Sequence, residues 1–224
     1  EVVKLKPECS CVSANILGEE IAYKLGAPGR HLVQNSLAVL AAVSLLGGDM
    51  AKAALALAAM PAPKGRGARF ALKVKGGSAT LIDESYNANP ASMRAAIALL
   101  GQAMPQPRGR RIAILGDMRE LGAEAPALHA GLAQPLAEAQ VDLVYLAGPL
   151  MQSLWDALPP DVRGAHAASA ADLLPALYET IGIGDVIMVK GSNASRMGPL
   201  AEAIRTRFAP APGPAEQRQG QEIA

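Results

Sequence analysis

Apolar and basic residues alternate through VVKLK near the start of the chain, a period-two pattern that predicts a short strand. Cys9 to Gly29 is mixed in pattern and predicts further strand or loop. From Arg30 the spacing becomes helical: HLVQNSLAVLAAVSLLG places apolar residues three and four apart and stops at Gly47-Gly48, a C-terminal cap signal. DMAKAALALAAM predicts a second helix with Asp49 as its N-cap. PAPKGRGAR, rich in proline and glycine, reads as a connector and sets an expected domain boundary near residues 61 to 65.

Beyond the connector, strand and helix patterns take turns. RFALKVKGG and SATLIDESY predict paired strands, and SMRAAIALLGQAM predicts a helix opened by Pro90 and Ser92. RRIAILGDM reads as a short buried strand, followed over residues 126–139 by a helix interrupted or bent near Pro135. VDLVYLAG, GAHAAS and DVIMVKGS predict strands, while LMQSLWDAL, DLLPALYETI and MGPLAEAIRTRF predict helices. This alternation implies an α/β fold, a Rossmann-like and mostly parallel sheet with helices on both faces. The last residues, APAPGPAEQRQGQEIA, have the composition of a disordered tail.

Composition narrows the function. Twenty-one basic and 20 acidic residues leave a formal charge of +1, and aromatic residues make up 3% of the chain. A scattered, balanced charge with few stacking rings argues against nucleic acid as a partner. No apolar run reaches the roughly 18 residues that span a bilayer, so membrane insertion is not expected. Cys9 and Cys11, the only cysteines, fit neither a metal site nor a disulfide framework and read as reduced thiols. No His/Cys/Asp cluster has zinc spacing, and no metal site is expected within the chain. Neither G-x-G-x-x-G nor G-x-x-x-x-G-K-[ST] occurs, so the chain lacks the loops that cradle dinucleotides or triphosphates.

Ligands of an open parallel sheet bind beyond the carboxyl ends of its strands. Three polar clusters fall at such ends: DESYNANP after ATLI, GDMREL after IAIL, and KGSNASRM after VIMV. Asp83 and Glu84 can accept hydrogen bonds from ribose hydroxyls or hold a metal ion indirectly. Asn87 and Asn89 suit an amide or carboxylate of a peptide-like ligand. Lys190 can meet a phosphate or carboxylate, or it can neutralise a neighbouring acid such as Asp117. Arg66, between small residues in KGRG, can fork onto a phosphate or stay a solvated linker arginine. His31 and Asn35 lie four apart on one helix and share a face.

Taken in order, GRHLVQNSLA, PKGRG, DESYNANPASM, LGDMRELG with His129 downstream, and VKGSNASRM resemble the Mur ligases over residues 1–208. The resemblance is nearest to the members that join D-Ala-D-Ala to UDP-N-acetylmuramoyl-tripeptide. It implies an ATP-dependent, carbon–nitrogen bond-forming ligase of peptidoglycan precursor synthesis in the bacterial cytoplasm, a monomer at full length. Residues 1–62 would be the trailing strands and helices of a P-loop ATPase domain, residues 63–208 the C-terminal Rossmann-like domain, and residues 209–224 the tail. The chain starts without methionine, in what reads as mid-strand, so it is expected to be a piece of that ligase, inactive alone. ATP and Mg2+ would be bound mainly by the upstream part. By the same resemblance His31, Asn35, Arg66 and Asp83 would approach ATP, Arg66 and Lys190 would serve catalysis, and Asn87, Asn89, Asp117, Lys190 and Ser192 would receive the dipeptide. The alternative is a nucleotide- or peptide-binding module without catalysis of its own.

Overall fold

The computed structural model describes residues 2–5, 9–60 and 65–210. The PAPK part of the expected connector, the expected tail over 211–224 and the side chain of His31 lie outside what is described. The chain divides into two compact units, Glu1–Arg69 and Phe70–Ala224.

In the first unit three antiparallel strands, β1 (Val2–Leu5), β2 (Ser10–Ile16) and β3 (Glu19–Leu25), pair in sequence order. Helices α1 (Arg30–Leu45) and α2 (Met50–Ala59) follow. Asp49 caps α2 as its position suggests, accepting from the Lys52 backbone N–H at 3.0 Å. Val12, Tyr23 and Leu25 of the sheet pack with Leu32, Val33 and Leu40 of α1 and with Met50 and Ala54 of α2. Burial of these apolar side chains is the main force holding the unit together. Two buried serines among the described residues of this unit are satisfied: the Ser36 hydroxyl donates to the Val33 carbonyl at 2.7 Å and lies 2.6 Å from the Tyr23 hydroxyl, and the Ser10 hydroxyl donates to the Ala27 carbonyl at 3.2 Å.

The second unit is built on six strands: β4 (Ala68–Val74), β5 (Gly77–Glu84), β6 (Arg111–Gly116), β7 (Leu143–Ala147), β8 (Arg163–Ala167) and β9 (Val186–Lys190). Their spatial order is β4-β5-β9-β6-β7-β8. All pairings from β5 to β8 are parallel. The two-residue link between β4 and β5 makes that edge a hairpin. Side chains alternate faces along each strand. Ile112, Ile114, Ile187 and Val189 therefore join one core, and Ala113, Leu115, Val186 and Met188 join the other.

Helices α3 (Pro90–Gln102), α4 (Ala125–Ala130), α5 (Ala133–Glu138) and α6 (Gln152–Ala157) cover the second of these faces. Helices α7 (Leu174–Thr180) and α8 (Met197–Arg207) cover the first. The Rossmann-like, mostly parallel arrangement expected from the alternating pattern is what the structure shows. The helix over 126–139 is interrupted as expected, with the break at Gly131-Leu132, just ahead of Pro135. A proline clashes with the carbonyl four residues back, here that of Gly131, so the chain stops α4 one turn early. Pro135 then sits in the first turn of α5, where its missing N–H costs nothing.

Candidate functional site

The carboxyl ends of β5, β9, β6 and β7 lie side by side, with Glu84 in register with Lys190 and Gly116 with Ala147. Because side chains alternate, Asp83 and Glu84 point to opposite faces of the sheet. Asp83 turns to the α8 side, where its Oδ1 accepts from the Ser85 backbone at 3.0 Å and from the Ser85 hydroxyl at 2.5 Å.

Glu84 turns to the α3 side and meets Lys190. The ammonium lies 3.7 Å from Glu84 Oε2, and both side chains are buried. It also donates to the Asn87 carbonyl at 3.0 Å and to the Glu84 carbonyl at 3.4 Å. The acid that Lys190 neutralises is thus Glu84 rather than Asp117, and the lysine staples the DESYNANP loop to the neighbouring strand. Asn87 Oδ1 accepts from the Ala88 N–H at 2.9 Å. Asn89 is the N-cap of α3: its Oδ1 accepts from the Ser92 N–H at 2.8 Å, and the Ser92 hydroxyl accepts from the Asn89 N–H at 3.0 Å. This reciprocal capping box gives Asn89 a folding role independent of any ligand.

Asp117 leads to a different place. A cavity of about 400 Å3 opens beyond β6 and β7, against the starts of α7 and α8. Asp117, Arg119, Gly148, Ser195 and Arg196 line it, with alanine and proline side chains between them. Asp117 is fully buried and held on every side. Its N–H donates to the Ala147 carbonyl, its carbonyl accepts from the Ser192 N–H, and its Oδ1 accepts from the Met151 N–H at 3.1 Å. Oδ2 has no hydrogen bond, only the Arg119 guanidinium at 3.7 Å. Ser192 is buried with its hydroxyl likewise unpartnered, but it does not line the cavity.

Burial pushes the Asp117 carboxyl above the usual carboxylate range, against the opposing pull of Arg119 and of the Met151 and Leu150 N–H groups. A carboxyl with a raised folded-state pKa contributes stability below its unfolded value, and that contribution is lost as pH rises through the folded value. Asp117→Asn therefore raises the melting temperature at neutral pH, and its advantage shrinks to nothing in acid, where both side chains are uncharged. Thermal melts across that pH range check this.

Gly148 makes the arrangement possible. It adopts φ 107° and ψ 156°, and a Cβ there would stand 2.5 Å from the Asp117 carboxyl. Its N–H donates to the Ala167 carbonyl at 2.9 Å, and its carbonyl accepts from His166 Nε2 at 2.9 Å. Arg196 is in the left-handed region, φ 55°, and exposed to the cavity mouth. A non-glycine residue held there by its surroundings is a mark of functional sites.

The remaining expected residues lie elsewhere. Asn35 is exposed on α1 of the first unit. Arg66, half-buried between Gly65 and Gly67, belongs to the same unit. Of the five residues expected to receive the dipeptide, Asp117 alone lines the cavity. Arg119, Ser195 and Arg196 line it without having been singled out, although GDMREL and KGSNASRM contain them. Among the described residues no group of three or more His, Cys, Asp or Glu side chains converges. No described helix is long and apolar enough to cross a membrane.

Residues 68–193 match the family model described as Mur ligase, glutamate ligase domain. The UDP-N-acetylmuramoyl-tripeptide--D-alanyl-D-alanine ligase of Escherichia coli is 33% identical over 183 residues, covering 81% of this chain and 38% of that protein. The Mycobacterium tuberculosis ligase of the same name is 32% identical over 200 residues, covering 81% of this chain and 39% of that protein. The chain thus spans about two fifths of the length of these relatives. The structure of the UDP-N-acetylmuramoylalanyl-D-glutamyl-2,6-diaminopimelate--D-alanyl-D-alanyl ligase of Acinetobacter baumannii superposes with a TM-score of 0.75 at 26% identity, over 91% of this chain and 43% of that one.

Proposed function

Because the chain belongs to the Mur ligase family, we propose that its second unit is the acceptor-binding part of an ATP-dependent ligase. The full-length protein would join D-Ala-D-Ala to UDP-N-acetylmuramoyl-tripeptide in the bacterial cytoplasm. ATP would phosphorylate the terminal carboxylate of the tripeptide and leave ADP. The dipeptide amine would then attack the acyl phosphate carbon, the new C–N bond would form as the C–O bond to phosphate breaks, and the amine would give up a proton.

The cavity beside Asp117 carries this reading. Its alanine and proline walls suit two methyl side chains, and Arg119 and Arg196 offer cations to a terminal carboxylate. Arg119 is already drawn to Asp117, so Arg196 is the guanidinium we assign to the dipeptide carboxylate. Asp83, with one oxygen committed to Ser85, would accept from the ribose of the nucleotide. Arg66 and Asn35 of the first unit keep their assignment to ATP. Lys190 contributes by holding the DESYNANP loop, and no step is assigned to Mg2+ through the described residues.

The full-length protein should release ADP and phosphate only when both the UDP-tripeptide and D-Ala-D-Ala are present, and this 224-residue chain should release neither. Arg196→Ala should raise the KM for D-Ala-D-Ala by roughly ten- to a hundredfold, the worth of one charge-assisted hydrogen bond, at unchanged KM for ATP. Turnover independent of the dipeptide would overturn the ligase reading. Dipeptide binding without any ATP turnover by the full-length protein would support a non-catalytic binding module instead.

A further inference from the structure

His129 on α4 is completely buried and lies outside every role assigned so far. Its Nδ1 sits 2.6 Å from the Ala125 carbonyl oxygen, and its Nε2 sits 3.0 Å from the Met118 backbone nitrogen. A carbonyl can only accept, so Nδ1 carries the proton. A peptide N–H can only donate, so Nε2 is a bare lone pair. One neutral tautomer satisfies both contacts. The other tautomer sets two donors face to face at Met118 and two acceptors at Ala125, and the imidazolium repeats the first conflict where no solvent can relieve it.

The bond to Met118 falls where β6 ends. The Asp117 N–H still pairs with β7 through Ala147, but the next N–H turns from the sheet and takes the imidazole as its partner. His129 thereby fixes the peptide between Asp117, the buried acid of the cavity, and Met118, which leads directly to Arg119. We infer that His129 is a positioning residue for the acceptor cavity: locked as the Nδ1–H tautomer, it sets the peptide that presents Asp117 and Arg119 to the dipeptide. This rests on the acceptor reading above.

Gln and Asn separate positioning from mere filling of space. A glutamine oxygen reaches about as far as Nε2 and can accept from Met118, whereas an asparagine oxygen reaches only as far as Nδ1. In the full-length protein His129→Asn should raise the KM for D-Ala-D-Ala roughly tenfold with the KM for ATP unchanged, and His129→Gln should restore it to within about twofold of wild type. Equal losses in both variants, no loss in either, or a parallel rise in the KM for ATP would each overturn the inference.

Nitrogen-15 spectra of the wild-type protein test the lock without relying on turnover. His129 should show a protonated Nδ1, a bare Nε2 and a scalar coupling from Nε2 to the Met118 amide at neutral pH. An Nε2–H or imidazolium signal would overturn it even if the variants failed to fold. A wild-type protein that shows the locked tautomer yet ignores D-Ala-D-Ala would sink the ligase reading and, with it, the assigned purpose of the lock.

Discussion

Gly148→Ala destabilises the second unit by roughly 2–5 kcal/mol and distorts the cavity beside Asp117. Two costs combine. At φ 107° and ψ 156° the backbone occupies a region that is essentially reserved for glycine. The added methyl group would also press on the Asp117 carboxyl at 2.5 Å, and that carboxyl cannot retreat because the Met151 N–H holds it. For a unit of this size the melting temperature falls by on the order of 10 °C. Asp117→Ala in the Gly148→Ala background removes the collision but not the strained dihedral angles, so it returns part of the loss. Melts of the two single variants and the double variant separate the two terms. A Gly148→Ala protein as stable as wild type would mean that the β7 exit is far softer than its hydrogen bonds to Ala167 and His166 indicate.

Lys190→Met costs about 3–5 kcal/mol, because it removes a buried ammonium that pairs with the Glu84 carboxylate. The loss has a second part. The Asn87 and Glu84 carbonyls lose their donor, and the DESYNANP loop is released from β9. Adding Glu84→Leu to Lys190→Met removes the other buried charge of the pair but not the loss at the carbonyls, so the double variant recovers only part of the stability. Denaturant melts of the cycle measure the coupling directly. If Lys190→Met were within about 1 kcal/mol of wild type, the pair would behave like a solvated one and the staple would be insignificant.

Periodicity made the architecture legible because the sheet is buried on both faces. IAIL and VIMV announce strands without solvent contact, and the intervening helices carry apolar residues at spacing that fits one face of a layer. The exit of strands into DESYNANP, GDMREL and KGSNASRM pointed to the carboxyl edge of the sheet, where the cavity beside Asp117 opens. Within that edge the assignments depended on side-chain direction, which spacing along the chain does not encode. Lys190 is one residue from Val189 yet faces the opposite core, and only the pairing of β5 with β9 brings it to Glu84. Asn89 looked like a recognition amide, but Pro90 and Ser92 on its carboxyl side are also the marks of an N-cap, and the cap is what forms. Arg196 was hidden for another reason: its left-handed backbone is imposed by the turn into α8, and no residue type nearby signals it. Gly148 followed a strand as many glycines do, and its significance appears only once Asp117 is seen against it.

The strand order has a bearing on how the protein comes into being. β9, the last of the described strands, lies between β5 and β6 and is the only link among them joining the β4-β5 hairpin to the β6-β7-β8 group. During synthesis the earlier strands must therefore wait, with apolar edges unpaired, until Val186–Lys190 leaves the ribosome and closes the gap. The same insertion delivers Lys190 to Glu84 and the Ser192 N–H to Asp117. Completing the sheet and assembling the ligand-facing edge are thus one late event, and nascent chains that stall before it expose two sticky half-sheets for a chaperone to cover.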